Sequence, residues 1–350
     1  MYPEMNRKIS RRIRKGEAMR AYHSFFVLAF LGMLLLAGCS NNPAQTQPQP
    51  AGPSIFKGDR YSLPINHPIA STGCGKAPPA QVGTSLNVTI PEDPAVANGA
   101  HTRMYVVHIP RTYDPQRPQA LILILHGAGG SAVGTAQGNQ FTSLGDQQDF
   151  FAVYPQGLLS PVGSSFWASE GPMDEGIDDT RYISDVLNDM QRQFCVDPHR
   201  IYETGYSNGG IMSWFLACRL AGRIAAFSPI SGVSYDIPGG CHPGRSVSLL
   251  DFHGSADTLE SYTGNPVPAW PSLPIPDTLR VWAARDGCNL QPEVFLNQPQ
   301  FLGERWTHCQ QGAEVAHYVV IGGGHGLPPF IGSQSIASLT WAFFQAHPLP

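Results

Sequence analysis

Gly205-Tyr206-Ser207-Asn208-Gly209 is the stretch of this sequence that decides the fold. It joins a β-prone run, residues 199–204, to an amphipathic run beginning near Asn208 that predicts a helix. A serine between glycines at a sharp strand-to-helix turn is typical of the nucleophile elbow of serine hydrolases. The glycines permit the turn, and the helix N-terminus faces a developing oxyanion. The alternative is a Ser-Asn helix cap after an ordinary turn, so the prediction depends on the residues that follow.

Candidates for the acid and the base follow the serine in the order expected for an α/β-hydrolase, which is serine, acid, histidine. The apolar run 248–252 predicts a buried strand, and Asp257 lies in the loop after it, where a carboxylate can orient an imidazole. Asp251 lies inside that strand and is a poorer candidate. Among the later histidines, His325 directly follows an apolar strand and has glycines on both sides. We therefore predict Ser207 as the nucleophile, Asp257 as the acid and His325 as the general base.

An oxyanion hole is predicted at the end of an earlier strand. The apolar run 121–125 predicts a parallel strand covered on both faces, and it ends in His126-Gly127-Ala128-Gly129-Gly130. This loop is similar to the H-G-G-G loop of lipases and esterases. We predict the Ala128 and Asn208 amides as the two donors. His126 and His253, each followed by glycine, are interpreted as structural histidines.

The alternation of predicted strands and helices indicates an α/β-hydrolase fold with a mostly parallel central sheet and helices on both faces. Strands are predicted near 104–110, 121–125, 150–154, 200–205, 226–230, 247–252 and 315–321. Helices are predicted near 179–194, 208–221, 277–286 and 334–346.

Several blocks of sequence carry a resemblance to a known family. They are Ser71-Thr72-Gly73-Cys74-Gly75-Lys76, Tyr154-Pro155-Gln156-Gly157, Cys195-Val196-Asp197-Pro198-His199-Arg200-Ile201-Tyr202, the Ser207 turn and Asp286-Gly287-Cys288. In this order and spacing they resemble the secreted feruloyl esterase and polyhydroxybutyrate depolymerase family, over about residues 71 to 345. The family's catalytic serine, aspartate and histidine map to Ser207, Asp257 and His325. Gly326-Leu327-Pro328 departs from the residues that many relatives carry after the histidine. The resemblance therefore assigns no residues to the part of the pocket that holds the alcohol.

Substrate choice rests on aromatic residues in two loops, 158–178 and 255–275, which are expected to flank the serine. Trp167 and Trp270 are predicted to bind substrate, by stacking on an aryl acid or by lining a slot for a polyester chain; the alternative is that they only pack the loops. The prediction is an exported serine carboxylesterase acting on hydroxycinnamoyl or acetyl esters of plant polysaccharide. Two alternative functions remain: a polyhydroxybutyrate depolymerase and, from another class, a catalytically silent binding lipoprotein.

The first residues predict export. The apolar run 25–37 is too short for a transmembrane helix and suits a signal peptide, and Leu36-Ala37-Gly38-Cys39 resembles a bacterial lipoprotein cleavage box. We predict a signal peptide over 1–38, a lipidated Cys39 with a Pro/Gln-rich tether over 39–70, and a catalytic domain over 71–350. The protein would then be a membrane-anchored lipoprotein, periplasmic or at the cell surface.

Composition limits the partners and cofactors. The formal net charge is −4 and only 14% of residues are charged, and no basic cluster follows Cys39, so no nucleic-acid partner is predicted. No C-x-x-C or H-E-x-x-H spacing is present, so we predict neither a metal nor another cofactor.

Six cysteines remain besides Cys39, an even number that favours disulfides in an exported domain. The strand rising to Ser207 and the helix returning from it have similar predicted lengths. Cys195 and Cys218 should therefore finish at the same end of the sheet, which favours their pairing. Cys288 with Cys309 is the next most natural pair, and elimination leaves Cys74 with Cys241.

Overall fold

A ten-stranded sheet forms the centre of the part of the chain that the structure describes. The structure is a computed structural model, and it describes residues 65–95, 97–159, 163–169, 177–235, 240–267 and 271–350, all within the compact unit Tyr61–Pro350. The strands of this sheet are β1 Ser85–Pro91, β2 Thr102–His108, β3 Gln119–Leu125, β4 Phe150–Pro155, β7 Val196–Tyr206, β8 Ala226–Ile230, β9 Ser248–Gly254, β10 Glu293–Gln298, β11 Phe301–Trp306 and β12 Val315–Val320. Two-residue strands form two small ribbons elsewhere: β5 Leu158–Leu159 with β6 Ser165–Phe166, and β13 Phe330–Ile331 with β14 Gln334–Ser335.

The strand order of the large sheet is β1-β2-β4-β3-β7-β8-β9-β12-β11-β10. The six central strands, β4-β3-β7-β8-β9-β12, are parallel to one another. The strands outside them pair antiparallel at both edges. The carboxyl ends of the parallel strands meet at one edge, where open α/β sheets bind their ligands.

Helices cover both faces of the sheet, as predicted. They are α1 Ala132–Gly138, α2 Phe141–Gln148, α3 Asp179–Gln193, α4 Asn208–Arg219, α5 Ile275–Arg285 and α6 Ile336–Ala346. Successive residues of a strand face opposite sides. In β3, Leu121, Leu123 and Leu125 pack with α3, α4 and α5, whereas Ala120, Ile122 and Ile124 pack with α1, α2 and α6.

The described residues contain three disulfides, and two of the predicted pairings are wrong. The structure joins Cys74 to Cys195, Cys218 to Cys241 and Cys288 to Cys309. Only the last pair had been predicted. A rise along the strand and the helix does not fix the sideways distance between two cysteines. The segment around Cys74 lies against the end of α3, where the Gly73 amide donates to Gln191 O at 2.9 Å, so Cys195 has a nearer partner than Cys218.

Membrane-spanning length is not reached by any helix in the described ranges. The predicted signal peptide 1–38, Cys39 and residues 40–64 of the tether lie outside those ranges.

Candidate active site

Three neighbouring loops at the carboxyl edge of the sheet bring Ser207, Asp257 and His325 together. Ser207 directly follows β7, Asp257 lies three residues after β9, and His325 lies five residues after β12. The Ser207 Oγ is 2.8 Å from His325 Nε2, and His325 Nδ1 is 2.8 Å from Asp257 Oδ2. A carboxylate can only accept hydrogen bonds, so Nδ1 carries the proton and Nε2 is free to accept from the serine hydroxyl. This is the geometry that a serine–histidine–aspartate triad requires.

The elbow holds Ser207 in a conformation that non-glycine residues rarely adopt. Its φ is 57° and its ψ is −123°, and strain of this kind is costly and concentrates at functional sites. Close packing fixes the turn: a Cβ on Gly205 would lie 2.3 Å from Gly209 O, and a Cβ on Gly209 would lie 2.7 Å from Leu125 O. Only glycine fits at these two positions, which accounts for the spacing of the motif.

Asp257 is an ionised carboxylate held from several sides. Its side chain is fully buried, and its Oδ1 accepts from the amides of Leu259 and Glu260 at 2.9 and 3.0 Å. Burial acts to raise the pKa of Asp257, but the hydrogen bonds from His253 and His325 outweigh it, and the pKa falls to about 2. The carboxylate is therefore charged across the range in which a histidine base works.

His253 lies next to Asp257, although the sequence analysis did not assign His253 to the site. Its Nε2 donates to Glu260 O at 2.8 Å and lies 3.4 Å from Asp257 Oδ2. Burial acts to lower the pKa of His253, but the carboxylates of Asp257 and Asp251 raise it above its ordinary value. The structural role predicted for His253 fits these contacts, and they also place the ring against the group that orients His325. The signal was its position at the end of the strand that precedes Asp257.

The predicted oxyanion loop lies against the serine. A Cβ on Gly127 would be 3.3 Å from Ser207 Cβ. The Gly129 amide donates to Ser165 O and the Gly130 amide to Gly127 O, whereas Ala128, which precedes them, is exposed. Asn208 is the first residue of α4, and the first amides of a helix have no intrahelical acceptor. Ala128 and Asn208 as donors stay a prediction.

His126 is the structural histidine that the sequence predicted. It is buried, with Nδ1 2.8 Å from Gly127 O, and its Nε2 accepts from the Gly157 amide at 2.9 Å. Burial lowers the pKa of His126, so the ring is neutral and fixes the oxyanion loop to the segment after β4.

Trp167, which was predicted to bind substrate, lies in the core and not at the surface of its loop. Its side chain is 0% exposed, and its Nε1 donates to His126 O at 2.8 Å. Its backbone amide donates to Asn208 Oδ1 at 2.6 Å, and Asn208 Nδ2 donates to Trp167 O at 3.2 Å. Trp167 therefore ties the elbow to the oxyanion loop from within the core. Trp270 lies outside the described residues, so its predicted role stays a prediction.

Tyr206 is the aromatic residue that the structure places at the site instead. It is 38% exposed, its ring centroid is 5.3 Å from that of His325, and its hydroxyl donates to His325 O at 3.3 Å. Its place directly before Ser207 was the signal that the sequence offered. In the described ranges, no cluster of three or more His, Cys, Asp or Glu side chains is arranged to hold a metal ion.

Comparison with known proteins gives several esterases as relatives. Feruloyl esterase B of Piromyces equi is 27% identical over 256 residues, which cover 71% of this chain and 46% of that protein. The chain thus spans less than half the length of this relative. Feruloyl esterase C of Emericella nidulans is 28% identical over 289 residues, which cover 80% of this chain and 93% of that protein.

Solved structures give the same fold. The acetyl xylan esterase from Aspergillus awamori superposes with a TM-score of 0.54 at 16% identity, over 75% of this chain and 99% of that one. No family model matches the sequence. The chain is therefore a relative of the feruloyl esterases and has the α/β-hydrolase fold.

Proposed function

We propose that this protein is a serine carboxylic ester hydrolase of the feruloyl esterase kind, which cleaves hydroxycinnamoyl or acetyl esters of plant polysaccharide. The observation that carries the proposal is the continuous hydrogen-bonded series Ser207, His325 and Asp257, with 2.8 Å at each step. The names of the two sequence relatives support the hydroxycinnamoyl side of the proposal.

The reaction proceeds in two halves. His325 Nε2 takes the Ser207 proton while the Oγ forms a bond to the ester carbon. His325 then returns the proton to the alcohol oxygen as the bond between carbon and that oxygen breaks, which leaves an acyl group on Ser207. A water molecule repeats the sequence, with its proton passing to His325, and the acid departs as Ser207 recovers its proton.

Charge on the carbonyl oxygen develops in both halves. The Ala128 and Asn208 amides are the proposed donors, and the removal of one such donor typically costs 10²–10³ in kcat. Asp257 keeps the Nδ1 proton of His325 in place and stabilises the imidazolium that forms.

Replacement of the nucleophile tests the chemistry. Ser207→Ala should lower kcat on p-nitrophenyl acetate and methyl ferulate by roughly 10⁴ or more with the thermal transition retained. Ser143→Ala, at an exposed helical serine, is the matched control and should keep full activity. Hydrolysis by Ser207→Ala within tenfold of the wild type would show that another residue is the nucleophile.

A substrate panel tests the specificity. Methyl ferulate, acetylated xylan and polyhydroxybutyrate oligomers are compared by kcat/KM. A higher value for either of the first two is expected. Faster cleavage of the polyester would make the protein a depolymerase, and no hydrolysis of any ester would favour a silent binding lipoprotein.

Export and anchoring form a second part of the proposal. Disulfides persist in oxidising compartments outside the cytoplasm, and the domain holds three. We infer cleavage after residue 38, lipidation of Cys39, a tether over 39–70 and a catalytic domain over 71–350. Cys39→Ser should release the protein from the membrane fraction or block processing of the precursor. A mature wild-type protein that is soluble and cut elsewhere would contradict the anchor.

A further inference from the structure

A cleft of about 750 Å³ lies beside the oxyanion loop. Gly129-Gly130-Ser131 of that loop and residues 163–165, which contact each other, line one part of it. Thr89 of β1 and Thr102 of β2 also line it. None of Ser207, Asp257 and His325 is a lining residue, so the cleft is a neighbour of the reacting atoms.

The cleft begins close to the serine. Gly127 lies next to Ser207, with room for little more than its missing side chain between them: a Cβ on Gly127 would lie 3.3 Å from Ser207 Cβ. Gly129 is two residues further along, and consecutive Cα atoms are about 3.8 Å apart. The wall therefore starts within about 8 Å of the Gly127 Cα. An ester with its carbonyl carbon at Ser207 can extend one of its two arms past Ala128 into this space.

The lining favours a hydroxyl-rich arm over a planar aryl arm. Threonine and serine hydroxyls and exposed glycine backbone supply donors and acceptors. No aromatic side chain lines the cleft within the described residues, and its apolar members are Met104, Leu158 and Leu159. Arg103 also lines it, and its guanidinium is held by Asp179 and by Gln156 O.

The walls are fixed to the oxyanion loop before any ligand arrives. Gln156 Oε1 accepts from the Ala132 amide at 2.9 Å, and Gln156 Nε2 donates to Gly157 O at 3.0 Å. The Gly129 amide donates to Ser165 O at 2.7 Å, which joins the two segments that line the cleft. Binding to such a preorganised surface costs little ordering of the protein.

We propose that this cleft is the subsite for the carbohydrate arm of the ester, and that it takes a sugar residue on the alcohol side of the scissile bond. The proposal rests on the proposed esterase function for its substrate class. It assigns the recognition of the polysaccharide to β1, β2 and the oxyanion loop, and leaves the acyl group to the region of Tyr206.

Filling the cleft tests the assignment. Thr102→Trp and, separately, Thr89→Trp place a large side chain at exposed strand positions that line the cleft, where aromatic residues are well tolerated. Asn87→Trp is the matched control, because Asn87 is exposed in the same strand as Thr89 and does not line the cleft. A circular dichroism melting curve establishes that each variant is folded.

Two ferulate esters, one with a sugar and one with a methyl group as the alcohol part, distinguish binding of the sugar from binding of the acyl group. Each cleft variant should raise KM for a feruloylated arabino-oligosaccharide by about tenfold or more while kcat/KM for methyl ferulate stays within about twofold, since only the sugar arm loses its contacts. The Asn87→Trp control should change neither. Equal losses on both esters, or no loss on either, would overturn the proposal.

Direct binding separates this proposal from the esterase function. Arabino- and xylo-oligosaccharides without an ester are titrated into the wild type and Thr102→Trp. If the wild type binds an oligosaccharide and the variant binds it at least tenfold more weakly, the subsite stands even where no feruloyl ester is cleaved. Equal binding by both, or no binding by the wild type, would refute the subsite.

Discussion

Asp257→Asn tests whether the charge of the buried carboxylate is held as the structure indicates. Asparagine keeps an oxygen for the Leu259 and Glu260 amides but removes the negative charge. The pKa of Asp257 is about 2, against an ordinary value of 3.8. At 1.36 kcal/mol for each pKa unit, the difference corresponds to about 2 kcal/mol of stability that the ionised form contributes at neutral pH.

The pH dependence gives the prediction its sign. Because the pKa is lower in the folded state, the stabilisation is fully present above the unfolded-state pKa and is lost as the pH falls towards 2. The free energy of unfolding, from urea titrations, should thus differ between wild type and Asp257→Asn by about 2 kcal/mol at pH 7 and about 1 kcal/mol at pH 3. The variant should also lose roughly 10⁴ in kcat.

Asp277→Asn is the matched control for this measurement. Asp277 pairs with Arg280 on the surface, and its side chain is 50% exposed. Its replacement should cost less than about 1 kcal/mol at either pH. The reasoning fails if Asp257→Asn costs the same at pH 7 and pH 3, or if it retains kcat within tenfold of the wild type.

Three further variants probe the surroundings of the site. Trp167→Phe leaves the buried His126 carbonyl without its donor, so unfolding titrations should show a loss of about 1–3 kcal/mol; a loss of activity confined to aryl esters would contradict the buried role. His253→Gln should be more destabilising at pH 6 than at pH 9, because a raised folded-state pKa contributes stability below the unfolded value and loses it as the pH rises through the folded one. A pH-independent effect would show that His253 acts only by packing. Joint replacement of Cys288 and Cys309 by serine opens a loop with a sequence separation of 21 and should lower stability by about 3 kcal/mol; a drop below 1 kcal/mol would exclude that estimate.

The strands that the sequence predicted are those that a hydrophobic pattern in their own residues indicates. Residues 121–125 form a continuous apolar run, and the strand β3 there is buried throughout. By contrast, β10 is exposed at almost every position, and β1 is half exposed. β10 carries no strong hydrophobic periodicity, because a neighbouring strand rather than burial defines it, and it was missed for this reason. β1, β11 and the short helices α1 and α2 were also missed, although apolar and polar residues alternate over 85–90 of β1.

The residues of the candidate site also divide into those that the sequence could predict and those that it could not. Ser207, Asp257 and His325 could be placed together because each follows a parallel strand, and such strands end at one edge. Trp167 could not be placed, since its burial depends on hydrogen bonds to Asn208 and His126, which are 41 positions away in the sequence. The wrong disulfide pairs have the same cause, because pairing needs a Cα separation of about 4–7 Å that no sequence spacing supplies.

The first and the last described residues lie at the end of the domain opposite Ser207. Asn66 Oδ1 accepts from the Gly222 amide at 2.8 Å, just beyond the end of α4, and this helix runs about 18 Å away from Ser207. The last residues return to the same end, where the Leu349 amide donates to His199 O at 2.8 Å near the start of β7.

Both ends of the described domain are therefore remote from the catalytic edge. A bead, a display scaffold or a partner enzyme could be attached at either end without obstructing the cleft.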